Sequence, residues 1–355
     1  MNKVAVRILV CVLVVLTLSA CAPQEPAAEV TGITVNADNA KYWYVSGTEI
    51  DPAGLVITAS LADGTTTAVP AQACEFVKPT FIPYGEKAVT VRYQGFEAEF
   101  PIYTCPTAAE TDQYITYTVR KNENGSQVTL TASLVGENRP FVLILPGGGY
   151  QTAIYAGQEG CGYAAKVNEL GYNAFVLEYS TKMEHPAPLD DVSLAYDIIE
   201  QNKDFFGVTM ENYAVCGSSA GGHLAATWST KVVGYEYYGK PRPAAAILAY
   251  PVINFTTSGD TRMGLVGESP SPELLYDLSA DENLDGDYPP TYIWVFVEDS
   301  LANHTELMEQ ALEAAGVRHI ARYFHGGAHG LGLAAGYEAE GWLEEAIAFW
   351  QNGAA

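Results

Sequence analysis

The alternation of strand-like and helix-like segments between residues 113 and 353 constrains this chain more than any other feature. Phe141-Val142-Leu143-Ile144-Leu145 is an unbroken apolar run, the pattern of a strand buried on both faces. Ala174–Leu177, Tyr213–Cys216, Ala246–Tyr250, Tyr292–Val297 and His319–Phe324 also read as strands. Helical stretches are expected over Gly160–Leu170, Asp190–Asn202, Leu224–Ser229, Leu307–Ala315 and Gly341–Trp350. In the second of these, Val192, Ala195, Ile198 and Ile199 share one face. Two more strand-like runs, Tyr114–Val119 and Val128–Leu134, come first, with Asn124-Gly125 between them as a hairpin signal. This order predicts an α/β fold, a mostly parallel sheet with helices on both faces. Ligands of such sheets bind beyond the carboxyl ends of the strands, so the chemistry is sought in the segments that follow strands.

Residues 30–105 follow another rule. Ile33-Thr34-Val35, Leu55–Ala59 and Val89–Tyr93 are short strand-like runs, separated by turn signals at Asp63-Gly64, Pro83-Tyr84-Gly85 and Gln94-Gly95. No 3.6-residue period interrupts them, so a small all-β sandwich is expected. The layout of Tyr44 with Gly47, Leu55-Val56-Ile57 with Asp63-Gly64, and Val89–Tyr93 resembles bacterial immunoglobulin-like domains. That resemblance implies a spacer or a weak adhesion module. Pro106–Asp112 reads as a polar connector, and residues 106–353 are taken as the second domain.

Neither rule covers the first residues. Lys3 and Arg7 precede an apolar run from Ile8 to Leu18, which ends in Leu18-Ser19-Ala20-Cys21. Charge, apolar stretch and small residues in that order make an export signal over residues 1–20. The run is short against the roughly 20 apolar residues a bilayer span needs. The Leu-Ser-Ala-Cys ending resembles the lipobox of bacterial lipoproteins, which implies a lipid on Cys21 and a protein held at an envelope membrane outside the cytoplasm. Residues 21–29, with Pro23 and Pro26, read as a tether.

An exported chain can form disulfides. Of six cysteines, Cys11 leaves with the signal and Cys21 carries the lipid, while Cys74 and Cys105 lie in one module and can pair. The alternative is two unpaired thiols, because connectivity is not written in spacing. No Cys-x-x-Cys occurs, and no metal or other cofactor is expected. With 48% hydrophobic and 17% charged residues the chain can bury a core. Its 42 acidic against 18 basic residues, net −24, repel phosphate backbones and exclude nucleic acid as a partner.

Three segments beyond strand ends carry chemistry. Gly217-Ser218-Ser219-Ala220-Gly221 follows the strand Tyr213–Cys216 and matches G-x-S-x-G with Ser219 at its centre. A serine on so sharp a turn needs small residues two positions to either side. Ser218 is the alternative, but Cys216 then fills one of those positions. Gly147-Gly148-Gly149 follows the earlier strand Phe141–Leu145, where bare glycine backbone N–H groups can face an oxyanion together with that of Ala220. Phe324-His325-Gly326-Gly327-Ala328-His329-Gly330 follows the last strand and offers two competing bases, His325 and His329. His223 lies one turn past Ser219 and is expected to pack. His185 and His304 read as surface loop residues. Glu298 and Asp299 end the strand Tyr292–Val297, where a carboxylate can orient an imidazole, and Asp299 is preferred. Asp281, Glu282, Asp285 and Asp287 read as solvated surface charge.

Seven ordered blocks then carry a family resemblance: Pro146–Tyr150, Gly171–Phe175, Pro186–Asp191, Ser219–Ala225, Tyr250–Ile253, Pro289-Pro290-Thr291 and His329–Gly332. Together they resemble the α/β-hydrolase esterases of the acetylxylan esterase-like group across nearly all of residues 113–353. The resemblance implies an α/β-hydrolase fold with Ser219 as nucleophile, His329 rather than His325 as base, and an oxyanion hole at Gly148, Gly149 and Ala220. Two positions depart from the pattern. Ser218 stands where the family usually has Phe, and Asp299 runs into Ser300-Leu301-Ala302 where a Val-Pro turn is usual.

The expected activity is a serine carboxylesterase acting through an acyl-enzyme on short acyl esters, acetyl foremost, with acetylated glycans such as xylan as substrates. Because the base must be neutral, activity is expected to fall as pH drops below about 6.5, the unperturbed imidazole value. Two alternatives remain, a serine exopeptidase on the same fold and a non-catalytic surface adhesion protein.

Overall fold

Every residue of Phe141–Leu145 is buried, and this run forms the strand around which the larger sheet is built. The computed structural model describes residues 29–353 apart from 41–42, 46–48, 80–84, 106–113, 124 and 258–259. The side chains of 43, 45, 85–86, 103–105, 114–115, 117 and 260 are also outside the description. The export signal, Cys21 and the tether up to residue 28 lie outside the described residues.

The alternating segments near the start form seven strands: β1 (Val30–Asn36), β2 (Trp43–Val45), β3 (Val56–Leu61), β4 (Thr66–Val69), β5 (Glu75–Val77), β6 (Gly85–Tyr93) and β7 (Phe96–Cys105). They make two sheets, ordered β1-β3-β4 and β2-β7-β6-β5, antiparallel except where β2 runs parallel to β7. Ile33, Ile57 and Ala59 from the first sheet share one core with Tyr44, Val89, Val91, Phe100 and Ile102 from the second. The expected all-β sandwich is therefore present. The expected Cys74–Cys105 disulfide is not. Cys74 is a free thiol at the end of the short turn Ala71–Ala73, where its Sγ faces the carbonyl of Pro70. Cys161, which spacing left without a partner, is disulfide-bonded instead.

The second unit adds β8 (Tyr114–Lys121), β9 (Gln127–Ser133), β10 (Phe141–Leu145), β11 (Asn173–Glu178), β12 (Ala214–Ser218), β13 (Ala245–Ala249), β14 (Thr291–Phe296) and β15 (His319–Phe324). Their order is β15-β14-β13-β12-β10-β11-β9-β8. The six strands from β15 to β11 are parallel, and β9 and β8 complete one edge antiparallel. The chain passes from β10 outward to β11 and then returns to the other flank of β10 as β12. That reversal leaves a crevice above β10 and β12, the place where ligands bind in such sheets.

Helices cover both faces with separate cores. Val192, Ala195 and Ile199 of the helix Ala187–Gln201 pack in one, together with Leu224 and Trp228 of the helix Ser219–Trp228. The helices Tyr163–Glu169 and Trp342–Gln351 fill the other around Trp294, Trp342 and Trp350.

Helix starts differ most from the sequence reading. The helix expected from Leu224 begins at Ser219, and the one expected from Leu307 begins at Ala302. His304 is consequently not a loop residue. It is buried, with Nδ1 accepting the N–H groups of Ile253 and Asn254, and burial pushes its pKa down to about 4. His185 is half-buried rather than a free surface side chain. Asp281 is also partly buried, accepting from Asn254 Nδ2, whereas Asp285 and Asp287 pair with Lys231 at the surface.

Candidate active site

The strand β12 ends in Gly217-Ser218, and the chain turns at once into the helix Ser219–Trp228. Ser219 takes φ +52°, a left-handed conformation rare for a residue with a side chain. The flanking glycines are sterically required. A Cβ on Gly217 would stand 2.1 Å from the carbonyl oxygen of Gly221, and one on Gly221 would stand 2.0 Å from that of Leu145. Ser218 points the other way. It is fully buried and its Oγ donates to the Tyr163 hydroxyl at 2.9 Å, so the polar replacement of the family's usual Phe is absorbed by a tyrosine.

Ser219 Oγ lies 2.8 Å from His329 Nε2, and His329 Nδ1 lies 2.7 Å from Asp299 Oδ2. The serine and histidine are 110 residues apart in sequence and meet because the parallel strands β12 and β15 both end on the carboxyl side of the sheet. Asp299 is buried, and its other oxygen, Oδ1, accepts the N–H of Leu301 at 2.9 Å. The short Ser300-Leu301 turn is thus closed by the carboxylate itself, which stands in for the Val-Pro turn usual in the family.

The rival residues fall outside this line. Glu298 Oε2 accepts the N–H of Gly326 at 3.2 Å, and its Oε1 lies 3.7 Å from His325 Nδ1 on the exposed surface. His325 and His329 are four residues apart, a spacing that also occurs in zinc sites, but they face different carboxylates. His223 is packed as expected. Its ring stacks on Phe255 at 3.8 Å, its nitrogens meet the Tyr150 hydroxyl and the Leu278 carbonyl, and burial lowers its pKa to about 3. Among the described residues, the group able to gather ligand atoms around an ion is Glu309, Glu313 and His319, apart from the Ser219–His329–Asp299 line.

Beside Ser219 runs the glycine loop that follows β10. Gly148 and Gly149 take φ +136° and +61°, and a Cβ on Gly148 would lie 2.2 Å from the Thr152 carbonyl oxygen. Among the described residues the N–H groups of Gly148 and Gly149 donate to no protein acceptor. Ala220 is the second residue of its helix, where the N–H has no partner within the helix. Three backbone N–H groups in the two segments that flank Ser219 are thus left without a protein acceptor. The short helix Asp260–Val266 covers the loop, with Gly264 close against the Gly149 carbonyl. The site itself stays open, since Gly148 and His329 are exposed and Ser219 is half-buried. Such an arrangement can remove a proton from a hydroxyl and hold the anion that the resulting attack creates.

Comparison with known proteins gives the fold family. A model described as the alpha/beta hydrolase fold matches residues 143–333, more than half of the chain. The chain belongs to the α/β hydrolase fold family. A bacterial Ig-like domain (group 3) model matches residues 37–103 of this hydrolase. An endo-1,4-beta-xylanase B of Butyrivibrio fibrisolvens is 31% identical over 219 residues, covering 58% of this chain and 34% of its own. An acetylxylan esterase of Xylanibacter ruminicola is 32% identical over 111 residues, covering 31% and 22%. The hydrolase thus spans about a third or less of the curated relatives it matches. Among solved structures, an acetyl ester-xyloside bifunctional hydrolase from Caldicellulosiruptor lactoaceticus superposes with TM-score 0.61 at 26% identity, covering 67% of this chain and 96% of that one.

Glu159 and Tyr250 are the residues near Ser219 that motif reading did not assign. Glu159 lies in the π-turn Gln158–Gly162, and Tyr250 follows β13 with φ +36°. Tyr250 opens the segment Tyr250–Ile253 that carries part of the family resemblance, but no sequence signal attaches a role to either residue.

Proposed function

We propose that this hydrolase is a serine esterase that removes short acyl groups, acetyl foremost, from acetylated glycans of the xylan type. The observation that carries the reading is the unbroken line from Asp299 through His329 to Ser219, beside three unpaired backbone N–H groups. His329 Nε2 takes the Ser219 proton as Oγ attacks the ester carbonyl carbon. The carbonyl oxygen becomes an anion and is held by the N–H groups of Gly148, Gly149 and Ala220. The protonated His329 gives that proton to the sugar oxygen as its bond to the acyl carbon breaks, which frees the sugar hydroxyl and leaves an acyl-serine. A water then gives a proton to His329 and attacks the acyl carbon. The acid departs and Ser219 recovers its proton. Asp299 accepts from Nδ1–H throughout, which keeps the lone pair of Nε2 aimed at Ser219.

The glycan is favoured by the names of the relatives, an acetylxylan esterase and a hydrolase of acetyl esters and xylosides. The open site, with Gly148 and His329 at the surface, suits an acetyl group presented on a polymer. The Leu18–Cys21 signal motif supports an exported lipoprotein anchored through Cys21, with the Ig-like module as a spacer from the membrane.

Turnover of p-nitrophenyl acetate, butyrate and octanoate by the wild type and Ser219→Ala tests the chemistry. Acetyl turnover is expected to be fastest and to vanish in the variant. Absent turnover, or turnover that survives the substitution, refutes the esterase reading. Acetate released from acetylated xylan tests the substrate. Labelling with a fatty acid, lost in Cys21→Ala, tests the anchor.

A further inference from the structure

The carboxylate of Glu159 joins three loops that leave three different strands. Its Oε2 accepts the N–H of Gly147, at the head of the glycine loop after β10, at 2.7 Å. Its Oε1 accepts the hydroxyl of Tyr250, just beyond β13, at 2.6 Å. The Tyr250 oxygen in turn accepts the N–H of Gly332, in the loop after β15 that carries His329, at 2.9 Å. The Tyr250 ring also meets the His329 ring edge-on, with centroids 5.2 Å apart. A Cβ on Gly147 would lie 2.6 Å from Glu159 Oε2 and 3.0 Å from Ser219 Cβ, so the carboxylate and the nucleophile flank the same glycine. Burial raises the Tyr250 hydroxyl well above the usual phenol value, which keeps it a donor.

We propose that Glu159 is a positioning residue, whose carboxylate fixes the oxyanion loop and the base relative to Ser219 by binding Gly147 directly and Gly332 through Tyr250. Glu159 touches none of the reacting atoms in the mechanism above. It acts through the direction of the Gly148 and Gly149 N–H groups and the seat of His329. Both of its oxygens face donors, and the one proton of Tyr250 goes to the carboxylate, which can only accept and lies closer than the Tyr163 hydroxyl, 2.6 against 3.3 Å. Glutamine has the same shape but sets an NH₂ group against one of these donors, which opens one of the two links.

The inference rests on the esterase reading for its kinetic effect, though not for its structural one. In Glu159→Gln, kcat for p-nitrophenyl acetate is expected to fall about 10- to 100-fold with KM nearly unchanged, the cost of misplaced reacting groups. Tyr250→Phe keeps the ring and is expected to lose a similar factor. The double variant should lose little more than either single one, because all three changes break one connection. Amide exchange of residues 147–149 and 329–332 should accelerate together in Glu159→Gln, whatever substrate the enzyme takes. An unchanged kcat, fully multiplicative losses, or unaltered exchange in either loop overturns the inference. If the wild type turns over no ester, the esterase reading fails, and exchange alone then decides whether Glu159 holds the two loops together.

Discussion

Asp299→Asn tests the orientation of the base with little change in shape. In the wild type Oδ2 accepts from His329 Nδ1 and Oδ1 accepts from Leu301 N–H. The asparagine has one oxygen to offer two donors. Leu301 N–H sits in the turn that Asp299 itself closes, at 2.9 Å from Oδ1, so the amide oxygen is expected to stay on it. The NH₂ group then faces His329, and Nδ1 must accept rather than donate. The proton of the neutral imidazole moves to Nε2, the atom 2.8 Å from Ser219 Oγ, which can no longer take the serine proton. The wrong tautomer costs about 10³- to 10⁴-fold in kcat, equivalent to about 4–5.5 kcal/mol of barrier. Stopped-assay hydrolysis of p-nitrophenyl acetate measures it, with the thermal midpoint of each variant as the control for folding. Glu298→Gln is the matched comparison, because Glu298 binds Gly326 and approaches His325 at the surface, and its kcat should stay within about twofold of the wild type. An Asp299→Asn enzyme within tenfold of the wild type refutes the assignment of the acid.

Gly221→Ala places a Cβ 2.0 Å from the Leu145 carbonyl oxygen, and since backbone cannot yield cheaply, the variant should lose about 3 kcal/mol or more and melt roughly 6–12 °C lower by calorimetry. His223 and His304 are held neutral by burial, with pKa values of about 3 and 4, while unfolded histidines titrate near 6.5. The unfolded chain therefore binds protons first, and these two groups make stability decline as pH falls from 6.5 toward 4, by at most about 1.4 kcal/mol per pH unit each. Urea unfolding at several pH values should show a shallower decline in His304→Gln, and equal slopes contradict the assignment. Peptide mapping without reductant should find Cys161 in a disulfide-linked peptide, and Cys74 and Cys216 as free thiols once the chain is denatured. An alkylated Cys161 refutes that bond.

The central strands were legible because burial on both faces leaves a continuous apolar run, as in Phe141–Leu145, whose limits the sequence reading matched. Ser219 was legible because its turn tolerates only glycine at Gly217 and Gly221, and this requirement is local. Helix starts were not. Ser219-Ala220-Gly221-Gly222 is a poor helix former by propensity, and it is helical in the structure where Gly221 packs against the backbone of Leu145 and Pro146. The same blind spot turned His304 into a loop residue, since Ala302-Asn303-His304 carries no apolar period. Glu159 was invisible for another reason. One carboxylate among 42 acidic residues is marked by neither spacing nor neighbours, and its partners Gly147 and Gly332 come close only after the sheet is assembled. Cysteine pairing failed likewise, because two cysteines in one module need not face each other.

The parallel order of β12, β14 and β15 also makes the site a measure of completeness. Ser219, Asp299 and His329 leave three successive stages of the chain, and the base comes last, beyond the edge strand. In the proposed mechanism, a chain still emerging from the ribosome, or one cut before β15, carries the serine but not the base that takes its proton. On the proposed mechanism, forms of the chain that lack β15 and the loop beyond it have no base and fall far short of full activity. Full activity then reports that the last strand and the loop carrying His329 stand in place beside Ser219.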